Sequence, residues 1–307
     1  MGRTALFSRK QPGGVYTVDD FKEHPGEIFF VDSGHAAASD TAGFGKSPDS
    51  PVATLDYAVG LCTASQGDVI YVMPGHAETI IADSGVDIDV AGVTVIGLGK
   101  GADRPTFTFT TAVTADFKLA ANSIHVENIL FLGGIDATTG VIEITGTDCV
   151  LKNTEYRDST GQATDVIVTD AACRLLIDGH KHIGADADGS DTAIMLDECD
   201  DAEIRNCYLY GDFDLGAIEC RTTASARINI HHCKIWTEGA EDLCILDTVT
   251  GSTGTIGPDV QLILEEDAAN VTEAVTGATF FMLDRVFVTN AVNQSALAIN
   301  WTAVADA

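Results

Sequence analysis

Five short segments decide the fold: HVENILF (125–131), VLKNTEY (150–156), LIDGHKH (176–182), EIRNCYL (203–209) and NIHHCKI (229–235). Laid over one another, they bring Asn128, Asn153, Gly179, Asn206 and His232 to one equivalent position, at steps of 25, 26, 27 and 26 residues. A second series keeps the same step: GVIEI from 140, DVIVT from 165, TAIML from 192, GAIEC from 216 and LCILD from 243. Both series are apolar and rich in β-branched residues, with Gly, Asp, Asn, Ser and Thr between them, as short strands and tight turns require. One such repeat cannot bury its apolar face alone. Copies stacked ~4.8 Å apart through parallel ladders can. A leucine-rich repeat has a similar period but needs a regular leucine pattern, which is missing here. The sequence therefore predicts an all-β coil of at least two strands per turn.

Stacking gives meaning to single columns. Glu127, Lys152, Asp178, Arg205 and His231 fall in one column whose charges alternate in sign, so each neighbouring pair adds ~0.2–1 kcal/mol. The next column holds Asn128, Asn153 and Asn206. Asparagine suits a coil corner, where its amide satisfies backbone groups or a stacked amide. Cys207 and Cys233 align as stacked neighbours. They are expected to stay reduced, because adjacent parallel strands seldom give disulfide geometry.

A coil stack exposes an apolar end that needs a cap. The stretch KSPDSPVATLDYAVGLCTASQGDVIYVM (46–73) supplies one. Ser50 is expected to N-cap a helix near 51–63 with Pro51 at its first position. Val52, Leu55, Val59 and Cys62 then share one face. GDVIYVMPG from 67 reads as the first strand and corner, and GVTVIGLG from 92 as the next coil. The chain thus divides into an arm (1–27), the coil stack (28–257) and a segment (258–307) that leaves the period but keeps strand-like runs such as TFFML and RVFVTNAV. That last segment reads as a C-terminal cap or an assembly module.

Composition bounds function. The 307 residues hold 17 Lys and Arg against 46 Asp and Glu, a formal charge of -29. Such a surface repels nucleic acid. No run approaches a membrane span, no secretory signal is visible, and no cofactor motif appears. None of the eight cysteines sits in a C-x-x-C pair, so the usual zinc spacing is missing. Residues 1–18 are the exception to the acidity: they carry Arg3, Arg9 and Lys10 and no acid. With the apolar anchors Leu6, Phe7, Val15 and Tyr16, this arm reads as an assembly contact.

At SPDSPVATLDYAV, GDVIYVMPG and VTVIGLG, and over residues 28–250 generally, the sequence resembles the right-handed parallel β-helix of the pectate-lyase-like superfold. The whole chain, with its lead-in GGVYTVDDFKEHPGEIFFVDSG, also resembles uncharacterised virion proteins of tailed bacteriophages. The first resemblance implies the fold: a right-handed parallel β-helix with an N-terminal capping helix and a C-terminal non-repetitive β segment. The second implies a non-enzymatic structural component of a virion, as capsid decoration, spike or fibre base, made in the host cytoplasm. Its partners would be other virion proteins, the major capsid protein among them, or further copies of itself in a homo-oligomer such as a trimer.

Fold does not settle function. A polysaccharide lyase or hydrolase on this fold is the first alternative, and Asp197, Asp200, Asp201 and Arg205 are its candidate residues. The polygalacturonase-like order of motifs is broken, since His180 precedes the Asp200–Asp201 pair and no Gly-His-Gly or Arg-x-Lys occurs. The plainer reading is a solvated acidic turn. Asp186, Asp188 and Asp191 in DADGSD form a weak calcium candidate that lacks the later glutamate of a calcium loop. GHKH (179–182) and IHHCK (230–234) could bring His180 and Cys233 together around a metal, although exposed strand histidines are commoner. A non-catalytic carbohydrate- or receptor-binding protein is the second alternative. It would need exposed aromatics, for which Trp236, Trp301 and six tyrosines are available.

Overall fold

A computed structural model of the chain describes residues 7–10, 16–18, 26–158, 162–185, 189–238, 243–249, 251–264, 274–276 and 279–290. Each complete turn of the coil contributes one strand to each of three parallel sheets. The first sheet has ten strands, from Ile28–Val31 to Thr279–Met282. The second has nine, from Ala77–Ile80 to Val286–Asn290, and the third eight, from Val86–Ile88 to Val275–Thr276. The molecule is a parallel β-helix with, among the described residues, one short α-helix. No described helix is long and apolar enough to cross a membrane.

Strand periodicity builds the core. On the first sheet, Phe29, Ile70, Val95, Val126, Leu151, Ile177, Ile204, Ile230 and Ile256 pair in register, coil upon coil. All are fully buried, each worth ~1.5–3 kcal/mol of transfer from water. Aromatics fill the wide early coils: Phe117 meets Phe107 and Phe131 edge-on at 5.4 and 5.2 Å, the arrangement ring quadrupoles favour.

The segments that open the sequence reading are not single strands. HVENILF is two, His125–Glu127 and Leu130–Gly133, hinged at Asn128. Asn128, Asn153, Gly179, Asn206 and His232 all hold a left-handed backbone, with φ of 61°, 50°, 74°, 56° and 54°. Asparagine tolerates that region better than most residues. Its amides do not bond each other here. Asn128 donates to the carbonyls of Gly97 and Gly99, whereas Asn153 and Asn206 donate to Glu127 and Asp178 one coil back.

The period also outlasts its expected end. Asp259 and Arg285 continue the corner column with φ of 59° and 60°. Thr279–Met282 and Val286–Asn290 pair in register with Thr253–Ile256 and Val260–Leu264. Residues 258–290 therefore belong to the coil as far as they are described. The expectation missed this because a charged residue, not asparagine, marks each of these corners.

The cap is shorter than expected. The helix spans Leu55–Val59, and Thr54, not Ser50, is its N-cap, accepting from the Tyr57 amide at 3.4 Å. Val52 instead bridges Val31 in parallel. Two carboxylates explain the later start: Asp40 takes the amides of Ala53 and Thr54, and Glu78 takes that of Leu55. Val52, Leu55 and Val59 are buried as expected, with Cys62 packed beside them. The first strand of the stack is Ile28–Val31, one coil before GDVIYVMPG.

Candidate functional site

The structure ties each of the acidic candidates into the coil. Asp197 accepts from the Thr223 amide at 2.8 Å and Asp200 from the Ala226 amide at 2.7 Å, each tying one turn to the next. Asp201 takes two bonds from Arg227 at 2.6 and 2.8 Å, and this guanidinium holds its carboxyl below the usual range. Arg205 bonds Asp178 at 3.0 Å and Glu203 at 2.8 Å. All four residues serve as coil-to-coil ties. The alternating column pairs as read at Lys152–Glu127, 3.3 Å, and Arg205–Asp178, 3.0 Å, whereas His231 reaches out of it to Glu203 at 3.0 Å.

Of the calcium candidates, Asp186 and Asp188 lie outside the described residues. Asp191 lines a groove of about 190 Å³ with Asp136, Gln162 and Thr164. Burial, with Asp165 nearby, raises its pKa. Among the described residues no three His, Cys, Asp or Glu side chains are grouped to hold a metal. Of the paired histidines, His232 is exposed as expected and His231 is half-buried, but the other pair is not exposed. His180 and His182 are fully buried, and His180 is bonded to Thr154 at 2.9 Å. Cys207 and Cys233 are free thiols in contact, one coil apart. Of the assembly residues, Phe7, Arg9, Lys10 and Tyr16 lie in a two-stranded antiparallel ribbon. Arg3, Leu6 and Val15 lie outside the described residues.

What the structure does assemble is on the second sheet. Strands Lys181–Ile183, Tyr208–Gly211 and Lys234–Thr237 alternate exposed and buried positions. Their outward residues form two registered columns, Glu155–Lys181–Tyr208–Lys234–Gln261 and Arg157–Ile183–Tyr210–Trp236–Ile263. Lys234 Nζ sits 4.3 Å from the centre of the Trp236 ring and 5.4 Å from that of Tyr208. Tyr210 meets Trp236 edge-on at 6.1 Å and donates its hydroxyl to Glu238. Cation–π contacts of this exposed kind contribute ~0.5–1 kcal/mol each, and they hold the rings upright as a half-exposed platform.

Two coils toward the N-terminus the same face turns cationic. Glu155 is largely buried, with Arg157 at 2.6 Å, Arg104 at 2.8 Å and Lys181 at 3.9 Å. Burial is the largest single influence and opposes its charge, but Arg157, Lys181 and Arg104 together outweigh it, so its pKa is lowered. Three cations around one carboxylate leave this corner positive within a protein of charge -29. Sequence reasoning counted too few aromatics to favour a binding surface. The missed signal is period two after each corner: Y-L-Y at 208–210 and K-I-W at 234–236 put every ring and Lys234 on one side.

No family model matches the chain, and no curated protein matches it. Similar solved structures include two lyases. A rhamnogalacturonan lyase shares 13% identity, with a TM-score of 0.44 over 90% of each chain. The pectate lyase Pel9A shares 11%, with a TM-score of 0.46 over 87% of this chain and 78% of that one. The likeness is one of fold, and no activity is carried over from it.

Proposed function

We propose that this β-helix is a non-catalytic binder of an anionic polysaccharide, gripped along the outward face of its second sheet. The observation that supports this most is the juxtaposition of Tyr208, Tyr210 and Trp236 with Lys181, Lys234 and Arg157 in two registered columns. Sugar rings present apolar faces to aromatic rings, and their carboxylates or sulfates pair with lysine and arginine. From Arg157 to Ile263 the platform spans four coil steps, roughly 19 Å at the parallel-strand spacing, enough for several sugar units. Asp197, Asp200, Asp201 and Arg205, the candidates of the depolymerase alternative, are engaged in coil-to-coil ties, which supports binding without cleavage. A saccharide-gripping shaft also suits a spike or fibre-base component, and the virion setting stays part of the proposal.

The test is calorimetric titration with uronic-acid and sulfated oligosaccharides, beside neutral ones of equal length. Trp236→Ala and the double variant Lys181→Ala/Lys234→Ala should each weaken binding about tenfold or more, as loss of ~1.4 kcal/mol does. Equal affinity for neutral and anionic chains would remove the role given to the lysines. New reducing ends after prolonged incubation would make the face a substrate cleft and overturn the non-catalytic reading.

A further inference from the structure

The corner at residue 232 brings two histidines face to face. Consecutive side chains of a strand point to opposite sides. His231 ends the strand Ile228–His231, however, and His232 takes the left-handed corner with φ of 54°. That turn swings both rings onto one side, edge to face, with centroids 5.0 Å apart. Their Nδ1 atoms are 2.7 Å apart. His232 is exposed and His231 half-buried, so the pair is open to solvent.

The outer nitrogens decide what the inner ones can do. His231 Nε2 lies 3.0 Å from Glu203 Oε1, one coil back, and His232 Nε2 lies 3.4 Å from Asp259 Oδ2, one coil on. Arg205 holds Glu203 at 2.8 Å, and Arg285 holds Asp259 at 2.9 Å. A carboxylate paired with arginine is ionised and only accepts hydrogen bonds. Each carboxylate therefore draws the ring proton of its histidine to Nε2, and each neutral ring keeps a lone pair on Nδ1. Two lone pairs at 2.7 Å repel unless they share a proton or a metal ion. Metal-binding histidines are held in this same way, with the other ring N–H on a carboxylate that fixes the tautomer and the ring direction.

The spacing selects the metal. With nitrogen–metal bonds of ~2.0 Å, ligands at a right angle stand ~2.8 Å apart, whereas tetrahedral ligands stand ~3.3 Å apart. The observed 2.7 Å fits the right angle, which is the geometry of square-planar or tetragonal copper(II) and nickel(II) and not of tetrahedral zinc. We propose that Nδ1 of His231 and Nδ1 of His232 form a two-histidine chelate for copper(II), with nickel(II) as the weaker occupant and water in the remaining positions. That order follows the general affinity series of these ions. Among the described residues no third His, Cys, Asp or Glu completes a larger ligand group. Glu203 and Asp259 stand behind the rings as positioning residues. The protein charge of -29 concentrates cations at its surface. Glu203, the histidine pair and Asp259 belong to three consecutive coils, so a bound ion fastens neighbouring turns through its ligands and their carboxylates.

The test uses the full chain, titrated with copper(II) chloride under electron paramagnetic resonance and with nickel(II) chloride by calorimetry. The expected result is a tetragonal copper(II) signal split by two imidazole nitrogens, and a thermal midpoint that rises with nickel concentration. His232→Asn is the sharpest variant, because Asn128, Asn153 and Asn206 hold the same left-handed corner. The coil keeps its turn while one ligand is lost. Binding of both ions should weaken tenfold or more, and one nitrogen should leave the copper spectrum. Glu203→Gln should weaken binding by ~10–100-fold, as loss of a supporting carboxylate does, yet keep both nitrogens in the spectrum. Equal nickel affinity in wild type and His232→Asn, or the same copper spectrum from both, would overturn the proposal. A wild-type chain without a two-nitrogen copper signal would overturn it whether or not any variant folds, and would leave a shared proton as the occupant of the pair.

Discussion

Asn206→Ala isolates what a corner contributes to the coil. Asn206 holds φ at 56° and donates its amide to Asp178 Oδ1 at 2.7 Å. Alanine keeps the left-handed backbone without the local polar compensation that asparagine offers, a cost of ~1 kcal/mol. The lost bond adds ~0.5–1.5 kcal/mol, at the lower end because the pair is exposed. Together the substitution should destabilise by ~1.5–2 kcal/mol. Asn206→Gly loses the same bond but adopts positive φ without strain, so it should cost only about 1 kcal/mol. Asn206→Val should exceed both, since a β-branched residue is least at home at positive φ. Urea unfolding followed by far-ultraviolet circular dichroism gives the order directly, provided the slope against denaturant is constant. The expected order of midpoints is wild type, Gly, Ala, Val. If alanine equals glycine, the backbone at 206 is not left-handed, and the corner column does not shape the turn.

Two further outcomes are expected. Burial lowers the pKa of both His180 and His182 to about 3, whereas an unfolded histidine titrates near 6.5. The unfolded chain therefore binds protons that the folded chain refuses, so stability is full above pH ~6.5 and falls on acidification by ~1.4 kcal/mol per unit for each histidine. His182→Leu should roughly halve the histidine part of that slope between pH 6 and 5, as read from urea midpoints across that range. Deleting residues 1–17 should leave the coil's circular dichroism and thermal transition intact, because the described ribbon strands form a sheet of their own. The same deletion should abolish self-association in analytical ultracentrifugation; unchanged association would move the contact to the segment after residue 258.

The sequence showed the coil because a parallel stack repeats its chemistry at a fixed interval. Glu127, Lys152, Asp178 and Arg205 are visible as a ladder before any coordinates are known, and their pairing follows from the register. It hid the third strand of each turn because the hinge between the first two sheets is only two residues long. Asn128 bends HVENILF with no Gly or Pro to announce it. It hid the last coil because Asp259 and Arg285 do at their corners what asparagine does earlier, and they hold each other by an ion pair at 2.9 Å. The cap was legible as a helix but not at its boundary. Its start is set by Asp40 and Glu78, which approach from 14 and 23 residues away.

The proposed binding face was hidden by the same geometry that made the fold plain. Composition counts aromatics over the whole chain, but a coil brings residues 26 apart within one ladder step of each other. Tyr208, Tyr210, Lys234 and Trp236 become a single surface only when the register is known. The other two sheets spend their outward charges internally. On the first, Arg205 closes on Asp178 and Glu203. On the third, Lys118 closes on Glu143, and Arg221 closes on Asp165 and Glu219. Groups paired across neighbouring coils stiffen the stack and have little left for a ligand. On the second sheet Lys234 faces rings instead of a carboxylate, and Lys181 stands 3.9 Å from a Glu155 that Arg157 and Arg104 already neutralise. Positive charge unspent on structure, beside aromatic surface, distinguishes a face that grips a partner from one that holds the coil together.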